Sequence, residues 1–318
     1  MCVLTGSGFA ILRAMSLVVT GTIGIDTVHT PHGKVEGVMG GSCAYFAAAA
    51  SFHAPVRVVA VVGGDWPEAH RRMLERFENI SLEGLEVRPQ GKTFAWGGKY
   101  FDNMNHRETL FTELGVLDED PAQAPASYAG SDMVFLGNTH PAEQLSMLRQ
   151  FPKRKLAVAD TMDLWINVAH DELMRLLGQV DGLVLNDAEA EQLTEVRNAV
   201  SAGRRILELG PSWVVVKKGE HGCVLVHREG VATLPAYPVD AEQVVDPTGA
   251  GDSFAGGMMG HIAAVGLVDF DAIQTALAWG TVTASFTIES FSLDRLARLT
   301  CEEIEARMRS FRAAGRIG

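Results

Sequence analysis

The sequence predicts an α/β fold, with a mostly parallel central sheet flanked by helices and a small antiparallel β layer projecting from it. Three observations carry that expectation. From Leu17 onward, short β-branched runs alternate with longer segments of helical apolar spacing, the pattern of strands joined by covering helices. Each run ends in a polar or glycine-rich turn, and in open sheets of this kind that edge is where ligands bind. One segment, Lys92 to Thr112, breaks the alternation with two extended pieces around a polar turn.

The expected strands are Leu17–Thr20, Val58–Val62, Met133–Leu136, Leu156–Ala159, Leu183–Leu185 and Val214–Val216, each a short apolar run rich in Val and Leu. Their turns are Gly21–Asp26, Gly63–Asp65, Gly137–His140, Asp160, Asn186 and Lys217–Gly222. Thr93–Tyr100 and Arg107–Phe111, joined by Asp102–His106, predict a hairpin that has no place inside a parallel doubly wound sheet. Its aromatics Phe94, Trp96 and Tyr100 need something to cover, either a partner subunit or a bound ligand. Met1 to Met15 carries one charge, Arg13, and lacks the basic start and cleavage site of a secretory signal. Residues 1–15 are therefore expected to be an extension, and residues 16–318 one domain with the hairpin inserted at about 92–112. A chain beginning at Met15 is expected to keep full activity and stability.

Composition bounds the function. A length of 318 residues fits one large domain or two ordinary ones, and 47% apolar with 21% charged residues excludes disorder, a collagen-like repeat or a disulfide miniprotein. With 27 Lys plus Arg against 39 Asp plus Glu, the net charge of −12 repels a phosphate backbone, so no nucleic-acid partner is expected. Ser253 to Val268, the longest uncharged stretch near the C-terminus, falls short of the roughly 20 residues a membrane span needs, so no membrane partner is expected either. Cys2, Cys43, Cys223 and Cys301 are scattered without a CxxC pair and read as reduced thiols of a cytoplasmic protein.

Two apparent nucleotide motifs fail on spacing. Gly91-Lys92-Thr93 resembles the end of a P-loop, but the required first glycine is Glu86. Gly21-Thr22-Ile23-Gly24 lacks the spacing of a dinucleotide turn, which leaves a nicotinamide dehydrogenase as a weak alternative. The strongest local signal is Asp246-Pro247-Thr248-Gly249-Ala250-Gly251-Asp252, followed by Ser253 to Met259. Small residues at 249–251 let backbone N–H groups approach an anion, and the following apolar run opens a helix, which makes an anion cradle at a helix N-terminus. Asp252 in the first turn reads either as an N-cap or as a catalytic base. A cap alone does not explain three preceding small residues, which favours the base.

Asp246 to Met259 resembles the second signature of the ribokinase-like, or PfkB, family of carbohydrate and nucleoside kinases. Other features fall in the family's order. They are Gly21 to Asp26, Gly40-Gly41 before a helix, Val61-Val62-Gly63-Gly64-Asp65, Asn186-Asp187-Ala188-Glu189 and Lys217-Lys218-Gly219-Glu220-His221-Gly222. The resemblance spans about residues 16 to 290 and puts the hairpin where the family has its lid.

It implies a ribokinase-like fold and an ATP-dependent kinase acting on a hydroxyl of a sugar or sugar-like molecule. Asp252 would be the base, with Gly249, Ala250 and Gly251 stabilising the moving phosphoryl charge. Glu189 would organise Mg²⁺, although Asn186 and Glu189 also have the spacing of a capping box. Asn186, Lys217, Gly219 and Gly222 would line the nucleotide pocket. Asp26, Gly40 and Gly41 would bind the acceptor, with Phe94 and Trp96 above it. Tyr45 stands where the family pattern has an asparagine, and reads either as an acceptor-site residue or as core packing. Lys99 and Arg107 are candidates for an added phosphate or for plain solvent exposure, and Asp160 to Trp165 is assigned no role. ATP and Mg²⁺ are the implied cofactors, with room for a monovalent cation, and a homodimer joined through the lids is the implied assembly. The alternatives are a nucleoside kinase of the same family and a non-catalytic sugar- or nucleotide-binding regulator.

Overall fold

In the computed structural model, residues 14–104 and 106–315 are described. Thirteen strands alternate with helices: β1 (Leu17–Thr20), β2 (Gly24–Thr30), β3 (Gly33–Gly40), β4 (Val56–Gly63), β5 (Ile80–Arg88), β6 (Phe94–Tyr100), β7 (Arg107–Glu113), β8 (Met133–Leu136), β9 (Leu156–Asp160), β10 (Gly182–Asn186), β11 (Trp213–Lys217), β12 (Cys223–His227) and β13 (Val231–Leu234). Nine form the central sheet, in the order β13-β12-β11-β10-β9-β8-β1-β4-β5, and four form a small sheet, β3-β2-β6-β7. From β5 to β11 every central pairing is parallel, and β12 and β13 close that edge antiparallel.

Continuous apolar runs form these strands because both faces are covered. Leu17, Val19, Phe135, Val158, Val184 and Val215 pack on one side with the helices Ser42–Ser51, Ala250–Val265 and Phe270–Thr287. Val18, Val134, Ala157, Leu183 and Val214 pack on the other side with Pro141–Arg149, His170–Leu177 and Ala199–Leu207. All ten residues of Ser42–Ser51 are buried, so this helix runs through the core with no polar face. Two helices that begin at the carboxyl edge, Ser42–Ser51 and Ala250–Val265, pack against each other and bring their first turns together.

The expected hairpin is present as β6 and β7, but it is half of the small sheet. β2 and β3 form a second hairpin, and β2 pairs with β6 in parallel, placing Gly24 beside Phe94 and Asp26 beside Trp96. The sequence does not announce β2 and β3, because β3 is mostly exposed and interleaves Lys34 and Glu36 with glycines, leaving little apolar alternation to read. The edge strands β5 and β13 escape because neither keeps a clean alternation, with the apolar Val87 and Val231 exposed among polar neighbours. The expected extension up to Arg13 lies outside the described residues, whereas Met15 is buried and its N–H donates to Ala263 O at 2.8 Å. Among the described residues, no helix is long and apolar enough to cross a membrane.

Candidate active site

The central sheet delivers polar side chains to its carboxyl edge one strand at a time. β9 ends on Asp160, β10 on Asn186 and β11 on Lys217, with Asn186 and Lys217 in register. The helix Ala250–Val265 starts at this edge and is preceded by Gly249 at φ 74°, a left-handed conformation that glycine adopts without cost. Gly249 is required twice, since a Cβ there would also strike the Tyr45 ring. Ala250 N–H closes a turn onto Pro247 O at 3.2 Å. Gly251 and Asp252 follow in the first turn, the part of a helix whose N–H groups lack acceptors within the helix itself.

Asp252 is not a cap. The position before the helix is Gly249, whereas Asp252 sits in the first turn, where its carboxylate accepts from its own backbone N–H. Burial pushes its carboxyl up to about 7, Asp160 adds to the rise, and Lys217 opposes it. The Lys217 ammonium stands beside the first turn, 3.0 Å from where a Cβ on Gly251 would be and 3.8 Å from Asp160 Oδ1. Burial alone would discharge it, but the carboxylates of Asp160, Glu189 and Asp252 outweigh burial and hold it above the ordinary lysine value. Asp160 is itself buried and raised by that burial, with Lys217 countering. The sequence assigns this residue no role, because a lone aspartate ending a strand looks like any turn residue.

Asn186 and Glu189 realise the capping box. Asn186 N–H donates to Glu189 Oε2 at 2.7 Å and Glu189 N–H donates to Asn186 Oδ1 at 2.8 Å. The same carboxyl still belongs to the acidic group around Lys217, because burial pushes it up to about 7, with Lys217 countering and Asp160 reinforcing. Gly219 (φ 53°) and Gly222 (φ 86°) shape the turn from β11 to β12, where Lys218 N–H donates to Gly222 O at 2.7 Å.

On the other side of the helix start lies Asp26, in β2. It is 4% exposed, and its Oδ1 is buried without a hydrogen-bond partner among the described residues. Its carboxylate lies across Gly40, where any Cβ would overlap it, and Gly41 (φ 96°) begins the helix Ser42–Ser51. Burial raises Asp26 to about 8, with Asp246 and then Asp252 adding to the rise, so these carboxylates share one low-dielectric site.

Trp96, beside Asp26, is half-buried with the Arg107 guanidinium 5.2 Å from its ring centre, while Lys99 lies over Phe101 instead. Tyr100 joins the small sheet to the anion loop, accepting a hydrogen bond from Thr248 Oγ1 at 3.2 Å. Arg107 lies near enough to stabilise the charged form of Asp252, a contribution absent from any motif. Tyr45 is only 2% exposed, packed against Gly249 within the apolar core, so it supports the anion loop from below.

Gly249→Ala is expected to lower turnover at least about tenfold and to lower the melting temperature, because the left-handed backbone and the Tyr45 ring both resist a methyl. Unchanged kcat in a steady-state assay would show that the loop tolerates another shape.

Comparison with known proteins fits this geometry. Residues 99–297 match the family described as pfkB family carbohydrate kinase. A cytidine kinase of Thermococcus kodakarensis is 30% identical over 249 residues, 77% of this chain and 87% of that protein. The structure of a Burkholderia thailandensis nucleoside kinase in complex with ADP-inosine superposes with a TM-score of 0.76 at 18% identity, covering 93% of this chain and 95% of the other. Ribokinase of Thermotoga maritima superposes at 0.71 with 21% identity, covering 93% and 99%. A parallel sheet with a four-stranded appendage, a glycine-led helix carrying Asp252 and this match over more than half the chain make the protein a ribokinase-fold member of the pfkB carbohydrate kinase family, a phosphotransferase with an alcohol group as acceptor.

Proposed function

We propose that the chain transfers the γ-phosphoryl group of ATP to a hydroxyl of a sugar or sugar-like acceptor, with Asp252 as the base. The observation that carries this reading is the meeting of three features at the carboxyl edge. They are the Asp252 carboxylate in the first turn of a helix, the glycine-led start of that helix, and the Lys217 ammonium beside it. Asp26 Oδ1, buried and unpartnered among the described residues, accepts a hydrogen bond from the acceptor and orients its hydroxyl toward Asp252. Asp252 takes the proton as the hydroxyl attacks, while the amides around Gly249, Ala250 and Gly251 and the Lys217 ammonium stabilise the charge on the moving group. Asn186, Gly219 and Gly222 border the nucleotide, Gly40 and Gly41 give the acceptor close backbone approach, and Phe94 and Trp96 exclude water from above.

Mg²⁺ fits the site through its acids. Among the described residues no three acidic, His or Cys side chains form a closed cage. Asp160, buried, and Glu189, half-buried, both raised, suit a cation that keeps its waters and shares the nucleotide's phosphates. Bound there, Mg²⁺ would supply charge neutralisation. A monovalent cation has one fitting group, Asp246 Oδ2, buried without a partner among the described residues.

The pH dependence follows from the base. Asp252 with a pKa of about 7 is active when deprotonated, so kcat/KM is expected to rise with unit slope below about pH 7 and level off above it. A profile flat from pH 5.5 to 8 would exclude Asp252 as the titrating base.

A second reading, in which the acceptor's sugar carries a base, is favoured by the similarity to a cytidine kinase and by the half-buried Trp96 beside Asp26. Turnover with ATP and a panel of cytidine, adenosine, ribose, fructose and myo-inositol separates the two. Reaction with free sugars supports the first reading, and turnover confined to nucleosides replaces it with the second.

A further inference from the structure

The strands of the small sheet enter and leave the central domain through roots that the chemistry above does not use. Thr93, the residue before β6, is 3% exposed. Its N–H donates to Asp65 Oδ1 at 2.7 Å, its hydroxyl donates to the same oxygen at 2.8 Å, and the hydroxyl accepts from Gly63 N–H at 2.9 Å. Alongside it, Gly64 N–H donates to Gly91 O at 3.0 Å and Val116 N–H donates to Lys92 O at 2.8 Å. Arg88 ties down the return segment, donating to Val116 O at 3.1 Å, Glu119 Oε2 at 3.2 Å and Asp120 O at 2.6 Å. Thus the Gly63-Gly64-Asp65 motif, which takes no part in the chemistry, is the anchor of the strand that follows Thr93.

That strand sets the acceptor side. Its parallel ladder with β2 begins at Phe94 beside Gly24 and reaches Trp96 beside Asp26 two residues later. Because side chains alternate between faces, a one-residue slip at the root would turn Trp96 away and shift the strand that carries Asp26. Only a hydroxyl can donate to Asp65 and accept from Gly63 at the same time, which is what Thr93 does. We infer that Asp65 is a positioning residue for acceptor binding: acting through Thr93, it fixes the first residue of β6 and with it the placement of Asp26 and Trp96. This rests on the reading of Asp26 as an acceptor-binding residue.

The test uses the intact chain with ATP and whichever of cytidine and fructose turns over faster. Thr93→Val and Asp65→Ala are expected to raise the acceptor KM about tenfold, the scale of a lost charge-assisted hydrogen bond, with the KM for ATP within about twofold. Thr93→Ser and Asp65→Asn, which keep the donor and acceptor atoms, are expected to stay within about threefold of the parent. Added to Asp26→Asn, Thr93→Val is expected to have less effect on acceptor binding than it has alone.

An unchanged acceptor KM in Thr93→Val, while Asp26→Asn raises it, overturns the inference and leaves the Asp26 reading standing. An unchanged acceptor KM in Asp26→Asn overturns both. Parallel loss of ATP affinity and thermal stability in Thr93→Val, with no preferential effect on the acceptor, means a merely structural root and also overturns the inference.

Discussion

Asp252→Asn is expected to lower kcat by at least about two orders of magnitude while leaving ATP affinity largely unchanged. The substitution keeps size and shape and leaves the helix start in place, because that start is set by Gly249 and an asparagine oxygen can still accept from the backbone N–H of its own residue. What it removes is the group that can accept a proton. It also removes a half-buried carboxyl that desolvation raises to about 7, so the folded protein should tolerate the change without loss of thermal stability. Steady-state kcat together with calorimetric titration of ATP checks both halves. Retained turnover would move the base elsewhere, with Asp160 the first carboxylate to examine, since it is buried in the same cluster.

Asp26→Asn is expected to raise the acceptor KM about tenfold or more and, in the same protein, to raise the melting temperature. The second effect comes from linkage. Burial raises this carboxyl from 3.8 to about 8, so the folded chain retains a proton that the unfolded chain releases in that interval. The group's contribution to stability is therefore full below about pH 3.8 and is lost as pH rises through about 8. Asparagine stays neutral and avoids that loss, which amounts to about 1.4 kcal/mol for each pKa unit traversed. The stabilisation should be larger at pH 8 than at pH 5 when thermal melts of the two proteins are compared. Equal or lower stability of the variant at pH 8 would mean that Asp26 is solvated or paired. A binding site kept at the expense of stability is expected where a buried acceptor atom waits for a ligand's hydroxyl.

Much of this architecture is legible in the amino-acid sequence. Six expected strands coincide with β1, β4, β8, β9, β10 and β11, because parallel strands covered on both faces leave uninterrupted Val and Leu runs. The hairpin of β6 and β7 can be read from its polar turn. The second hairpin cannot, since β3 is largely exposed and pairs only with β2, and β2 is placed by its parallel ladder with β6, a partner distant in the chain.

At the site, the run from Asp246 to Asp252 carries its own chemistry in its spacing, as small residues before a helix have few other uses. Asp160 and Arg107 have no such local mark. Each becomes meaningful only when distant segments meet, Asp160 with Lys217 from two strands away and Arg107 over Trp96. Tyr45 shows the reverse case. Its place in a motif suggests contact with the acceptor, and what the motif does not announce is the packing of its ring against Gly249, a contact between residues far apart in the chain, while its buried phenol feels the carboxylates of Asp246, Asp26 and Asp252.

The most direct test of the central claim is a crystal structure of the chain with a productive acceptor and a non-hydrolysable ATP analogue. One acceptor hydroxyl is expected within hydrogen-bond reach of an Asp252 carboxylate oxygen, about 2.6–3.2 Å, and facing the terminal phosphate at the start of the helix Ala250–Val265. A reactive hydroxyl paired with a different carboxylate, or an Asp252 side chain turned away from a properly bound acceptor, would contradict it.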